Sequence, residues 1–117
     1  MKNIFLALTM IAAALQLAAQ NVGIGTNSPS AKLHIANGNV LFSATGDVDP
    51  TPGNPPTQGE GRRMMWYPDK AAFRVGYVNG SFWDKFNTGT YSFACGYNTT
   101  ASAYGACALG NGTTASG

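Results

Sequence analysis

Hydrophobic and polar positions divide the chain into an apolar leader and a series of short alternating runs. Ile4 to Leu15 are apolar except for Thr9, follow the positive Lys2, and lead to the small residues Ala18 and Ala19. That layout predicts a secretory signal over residues 1–19, too short an apolar run to serve as a bilayer anchor. In residues 20–46 the alternation has period two. Val22 and Ile24 predict one strand and Leu33 and Ile35 a second, around a Ser28-Pro29 turn, and Val40-Leu41-Phe42 predict a third after Asn37-Gly38-Asn39. Residues 47–61 carry Pro50, Pro52, Pro55 and Pro56, so no ladder can run through them, and they predict a loop. Residues 62–89 predict a β-hairpin. Phe73, Val75 and Tyr77 alternate along one strand, Asn79-Gly80 supplies the two-residue turn, and Phe82, Trp83 and Phe86 fall on the return.

Residues 90–117 repeat on themselves every fourteen residues. The run Phe93 to Ala103 aligns with Cys107 to Gly117, sharing Ala-x-Gly (Ala94, Gly96; Ala108, Gly110) and Thr-Thr-Ala-Ser (Thr99 to Ser102; Thr113 to Ser116). A fixed period of this kind implies stacked coils, each with two short strands and two turns. Phe93 and Cys95, like Cys107 and Leu109, sit two apart and are expected to point inward, with Gly96 and Gly110 allowing the chain to bend and Ala101 and Ala115 forming a second wall.

This unit resembles the head repeats of trimeric autotransporter adhesins: Ser92-Phe93-Ala94-Cys95-Gly96 and Ala106-Cys107-Ala108-Leu109-Gly110 match its opening, and Ala115-Ser116-Gly117 its closing triplet. Val22 to Thr26 with Lys32 to Ile35 resemble the opening of secreted tail-fibre-like proteins, and Met64 to Arg74 a segment that precedes such repeats. The resemblance implies an all-β chain in which short strands and a hairpin lead into a left-handed parallel β-roll, a solenoid of 14-residue coils, assembled as a homotrimer. It implies a non-enzymatic adhesin, secreted or on the outer surface of a bacterial cell, whose repeat head meets a host, matrix or glycan surface. A structural fibre of an extracellular tail-like or matrix assembly is the alternative. Two coils, no stalk and no membrane anchor in this part, and an end at a coil boundary read as a truncated piece of a longer protein.

Composition supports a fibrous rather than a globular reading. Glycine, with 15 of 117 residues, is near twice its usual share of roughly 7%. Large aliphatics are scarce past the leader, so a thin core shared between chains is expected. The net charge of +2 leaves no basic stripe for nucleic acid. Arg62-Arg63, the only adjacent basic pair, reads as a solvated strand edge.

Candidate chemistry changes little. Gly23-x-Gly25 lacks a third glycine and a following helix, so it fails as a phosphate cradle. Asp47-x-Asp49 is followed by Thr51, Pro52 and Gly53, which are not calcium-loop ligands. His34, the single histidine, lies between Leu33 and Ile35 with no Cys or carboxylate cluster nearby, and the five carboxylates are scattered. Cys95 and Cys107 are expected as buried small hydrophobes. One coil apart and offset by two residues, their Cα atoms would lie about 8 Å apart, beyond the roughly 7 Å a bridge needs. No catalytic residue, cofactor or metal is therefore expected. Asn79, Asn98 and Asn111 fit the glycosylation pattern but read as turn chemistry. Trp66, Tyr67, Phe73, Tyr77, Phe82, Trp83 and Phe86 read as core or subunit interface rather than a sugar platform.

Overall fold

The structure is a computed structural model and describes residues 21–117; the export signal expected over residues 1–19 lies outside the described residues. Those residues are all-β, with strands, turns and two 3-10 turns. They separate into two compact units, which divide after Leu41.

In the first unit, β1 (Val22–Ile24) pairs with β2 (Leu33–Ile35), but in parallel, with Val22 opposite Leu33 and Ile24 opposite Ile35. The turn at Ser28-Pro29 is therefore part of a crossover rather than of a hairpin. The return is tight: a Cβ on Gly25 (φ 77°) would lie 2.3 Å from the carbonyl oxygen of Ala36, which accounts for that glycine without any phosphate. The expected third strand does not form. Val40 and Leu41 join no ladder and are exposed, because three apolar residues without a partner strand gain nothing from extending.

The second unit is built on a four-stranded mixed sheet in the order β3 (Gly61–Tyr67), β4 (Ala72–Val78), β5 (Phe93–Tyr97), β7 (Cys107–Asn111). The β3–β4 pair is antiparallel and the other two pairs are parallel. A hairpin is thus present, one turn earlier than the residues suggested. Pro68–Lys70 forms a 3-10 turn closed by Ala71, which adopts the left-handed conformation (φ 47°) and donates its N–H to the carbonyl of Pro68. Asn79-Gly80 does not close a hairpin, since neither residue has the positive φ that the primed turn requires, and the Asn79 N–H is taken by Asn98 Oδ1 at 2.9 Å. Phe82, Trp83 and Phe86 consequently lie in turns around a second 3-10 segment, Lys85–Asn87, rather than on a strand.

A second, two-stranded parallel sheet joins β6 (Thr100–Ala101) to β8 (Thr114–Ala115), and a parallel bridge links Thr88 to Ala101. Phe93 lies opposite Cys107 and Thr100 opposite Thr114, so both ladders repeat at the fourteen-residue offset seen in the sequence. The sheets are small and mixed, and among the described residues they do not close into a roll.

The phase of the repeat strands is opposite to the expectation. Ala94, Ala101 and Ala108 are fully buried together, whereas Phe93, Cys107 and Leu109 are exposed and Cys95 is half-buried. Period two allows either phase. The gap between β5–β7 and β6–β8 takes the methyl of alanine, so the larger side chains turn outward. Gly76, Gly96 and Gly110 stack in one column with φ between 113° and 131°. A Cβ on Gly96 would sit 2.0 Å from the oxygen of Gly110, so successive strands approach only because the column is glycine.

Candidate functional site

Outward from this sheet the strand registers align three rows of side chains. Trp66, Phe73, Phe93 and Cys107 form one row, Met64, Val75, Cys95 and Leu109 the next, and Arg62, Tyr77, Tyr97 and Asn111 the last. Phe73 and Phe93 stack at 5.8 Å with an interplanar angle of 12°, and Tyr77 and Tyr97 stack at 5.6 Å. Met64 (69% exposed), Leu109 (57%) and Phe93 (37%) leave an apolar face open to water. Phe42 shares with Met64, Trp66 and Phe73 a hollow of about 150 Å³ on the same face. Contiguous exposed apolar area of this kind marks an interaction surface. Asn79 Nδ2 bonds Tyr97 Oη at 3.3 Å, so the polar rim lies at the Tyr77–Tyr97 end.

The opposite, inner face carries a charge that periodicity did not reveal. Arg74 is fully buried beneath the sheet, in the row Met65, Arg74, Ala94, Ala108. Its guanidinium donates to the carbonyls of Phe73 (2.8 Å), Ser92 (3.0 Å) and Ala101 (3.0 Å) and to Ser92 Oγ (2.7 Å), while its Nε has no partner. Burial lowers its pKa to about 10, so it stays charged at neutral pH. With no carboxylate hydrogen-bonded to it, the cation is held by carbonyl dipoles and, through Ala101 O, ties β4 to β6. Trp83 is buried as well: its Nε1 donates to Thr99 O at 2.9 Å, and its ring packs with Met65 and Val78. Lys70 completes the entry by donating to the carbonyls of Lys85 and Thr88, both at 2.6 Å.

Of the seven aromatics singled out from sequence, the structure brings Trp66, Phe73 and Tyr77 together on the outer face. Tyr67 and Trp83 go to the interior, Phe82 packs half-buried against the Met65, Val78 and Trp83 cluster, and Phe86 is 89% exposed with Lys85 Nζ over its ring at 5.8 Å. Cys95 and Cys107 are free and belong to the outer face, not to the core, for the reason that governs the repeat phase. His34 Nδ1 is engaged locally by Ser30 at 3.2 Å. Arg62 is exposed on the strand edge, whereas Arg63 turns back to donate to Gly59 O at 2.8 Å and lies over the Trp83 ring.

The carboxylates are spent on loop closure. Asp69 Oδ2 accepts from Gly53 N at 2.9 Å, Asp84 Oδ1 from Gly59 N at 2.7 Å, and Asp49 Oδ1 from Thr51 N at 2.8 Å. Tyr67 Oη also donates to the Gly53 carbonyl. Asp47 Oδ1 accepts from Tyr91 Oη at 2.5 Å and from Val48 N at 2.7 Å, and the tyrosine bond holds its pKa below the usual carboxylate value. Among the described residues no group of three or more His, Cys, Asp or Glu could hold a metal, and no helix is long and apolar enough to cross a membrane.

Two features escaped sequence reasoning. Arg74, the polar residue between Phe73 and Val75, carries no sequence signal of burial. Its alignment with Ala94 runs through a twenty-residue offset, outside the repeat register. Tyr91 was overlooked, although the repeat register aligns it with Gly105, and that mismatch was visible. Comparison of the chain with known protein families, with characterised proteins and with solved structures finds no match.

Proposed function

We propose that this chain belongs to a secreted or surface-exposed fibrous adhesin of the bacterial cell, non-enzymatic, that assembles as a homotrimer and presents its repeats as a binding head. In this reading the two parallel ladders are walls of successive coils of a β-roll, left-handed as the family resemblance implies. The observation that carries the proposal is the outer face of the four-stranded sheet. Its rows of Phe, Tyr, Val, Leu and Cys lack any carboxylate and have a single cation, Arg62, at the rim. Three copies turning this face to a common axis would bury it, and every added coil would extend the same stripe.

The test is the oligomeric state of the chain without its leader, measured by light scattering on a sizing column. A trimer that Leu109→Lys and Phe93→Lys convert to monomer supports the reading, and a wild-type monomer at tens of micromolar overturns it. Beads coated with the trimer should then adhere to cells or extracellular matrix. The structural-fibre alternative is favoured by one feature, the outer edges of β7 and β8, which pair with nothing among the described residues. End-to-end assembly without adhesion of the beads would select it.

A further inference from the structure

Two free thiols stand on the outer face, and burial of that face between copies does not by itself account for them. Cys95 lies on β5 and is half-buried, and Cys107 lies on β7 and is exposed. The parallel register sets Phe93 opposite Cys107 and Cys95 opposite Leu109. The four outward side chains therefore form a checkerboard, with two bulky groups on one diagonal and two small thiols on the other. Each coil has one bulky and one cysteine position, and the order reverses from one coil to the next.

The thiols of one chain are badly placed to join each other. One strand apart and two residues along it, their Cα atoms lie about 8 Å apart, and a bridge seldom spans more than roughly 6.8 Å. A second copy changes the reach. When three chains turn this face to a common axis with their strands level, Phe93 can rest on the partner's Cys95, and Cys107 beside the partner's Leu109. Bulky then meets small at each level. Cys107 and the partner's Cys95 differ along the axis by one strand spacing, about 4.8 Å, less than the roughly 5.5–6 Å usual between bridged Cα atoms. Cyclic symmetry uses each Cys95 once and each Cys107 once, so three bridges close a ring and leave no thiol over. Pairing of like with like would always leave one chain out.

We infer that Cys107 forms a disulfide with Cys95 of the partner subunit, and that three such bridges lock the head into a covalent ring. The inference rests on the trimeric, exported reading above, because export supplies an oxidising compartment. The oxidant is a disulfide of that compartment, carried by a small molecule or by a protein dithiol. The thiolate of the exposed Cys107 attacks it, forming a mixed disulfide and releasing one thiol. The thiolate of the partner's Cys95 then attacks Cys107 Sγ and displaces the second. Each bridge thus reduces one donor disulfide to two thiols, which take up the two protons that the cysteines lose.

The test assembles the chain without its leader in reductant and oxidises it with glutathione disulfide. Remaining thiols are blocked with a maleimide, and the product is run on a denaturing gel without reductant. The expected result is a band at three chain masses that takes up no maleimide and returns to single chains on reduction. Mass spectra of its digest should show Cys95 joined to Cys107. Mixing variants decides the pairing. Cys95→Ser and Cys107→Ser chains should each run as single chains, whereas the two co-assembled in equal amounts should give covalent pairs and nothing larger. Where a serine variant misfolds, the wild-type gel and digest carry the same decision. Single chains with two blocked thiols, an in-chain bridge, Cys107 joined to Cys107 as the main product, or a ladder past three chains overturns the inference. Light scattering in reductant separates it from the assembly reading. A trimer that never cross-links loses the bridge and keeps the assembly, and a chain monomeric in both states loses both. A reduced monomer that closes the covalent ring on oxidation keeps the bridge and shows that the apolar face alone does not assemble the head.

Discussion

The entry region, residues 42–92, and the repeat, residues 93–117, share one sheet and differ in how they fill its inner side. In the entry the largest fully buried side chains are Trp83, Arg74, Tyr67 and Val78, and polar bonds from Arg74, Lys70 and Trp83 reach carbonyls on neighbouring turns. In the repeat the buried cluster is Ala94, Ala101 and Ala108, with Ala106 and Ala115 packed against it. Apolar burial stabilises by roughly 25 cal/mol per Å², so a methyl-lined gap contributes far less per strand than an indole. The repeat instead relies on backbone register, set by the glycine column. One region supplies bulk and closes the stack, and the other supplies a spacing that can be copied.

The comparison breaks hardest at Trp83. Trp83→Ala should cost about 4 kcal/mol in a urea titration, because it empties the entry core and frees Thr99 O. Next comes the column. Gly96→Ala should cost about 3 kcal/mol, since its Cβ meets the Gly110 carbonyl, while Gly112→Ala (φ 64°, nothing within 4 Å) should cost about 1 kcal/mol. Equal costs would show that register does not depend on the close approach. The phase of the repeat is sharpened by a neighbouring pair. Ala108→Leu should overpack the alanine gap by about 2 kcal/mol, whereas Leu109→Ala should change the stability of the dilute monomer by under about 0.5 kcal/mol. The reverse order would restore the inward phase for Leu109.

The smallest effect is acid sensitivity. The folded pKa of Asp47 lies below the ordinary carboxylate value through the Tyr91 bond, so its contribution is present at neutral pH and is lost as pH falls through that lowered value. Melting temperatures of wild type and Asp47→Asn should differ at pH 7 and converge at pH 2–3. The repeat has no Asp, Glu, Lys, Arg or His at all, so its amide exchange should not respond to acid beyond the intrinsic chemical rate.

Particular residues show what could be foreseen. The fourteen-residue spacing was legible because Ala-x-Gly and Thr-Thr-Ala-Ser recur in identical order, and the ladders use that offset. The loop over residues 47–61 was legible from its prolines, with β3 starting at its last residue, Gly61. The side that each strand buries was not legible, because Phe93 and Leu109 are the bulkier half of an alternation and the gap admits only alanine. The hairpin turn was misplaced because Asn79-Gly80 has the stronger local preference, but the Asn98 side chain, nineteen residues away, claims the Asn79 N–H. The Asp47-x-Asp49 pair stands out in the sequence only as a failed calcium loop. Its partner Tyr91 is joined to Asp47 only by tertiary structure, across 44 residues.

The glycine column also has a genetic meaning. Because each glycine leaves room for the carbonyl of the next strand, and because both ladders share one offset, a duplication of one whole repeat inserts a strand into each sheet without altering any other contact. The chain would lengthen by about 4.8 Å per copy. A duplication of any other length would place side chains where the column admits none. Recombination between near-identical repeats would therefore act as a ruler, varying reach in fixed steps while the closing end stays unchanged.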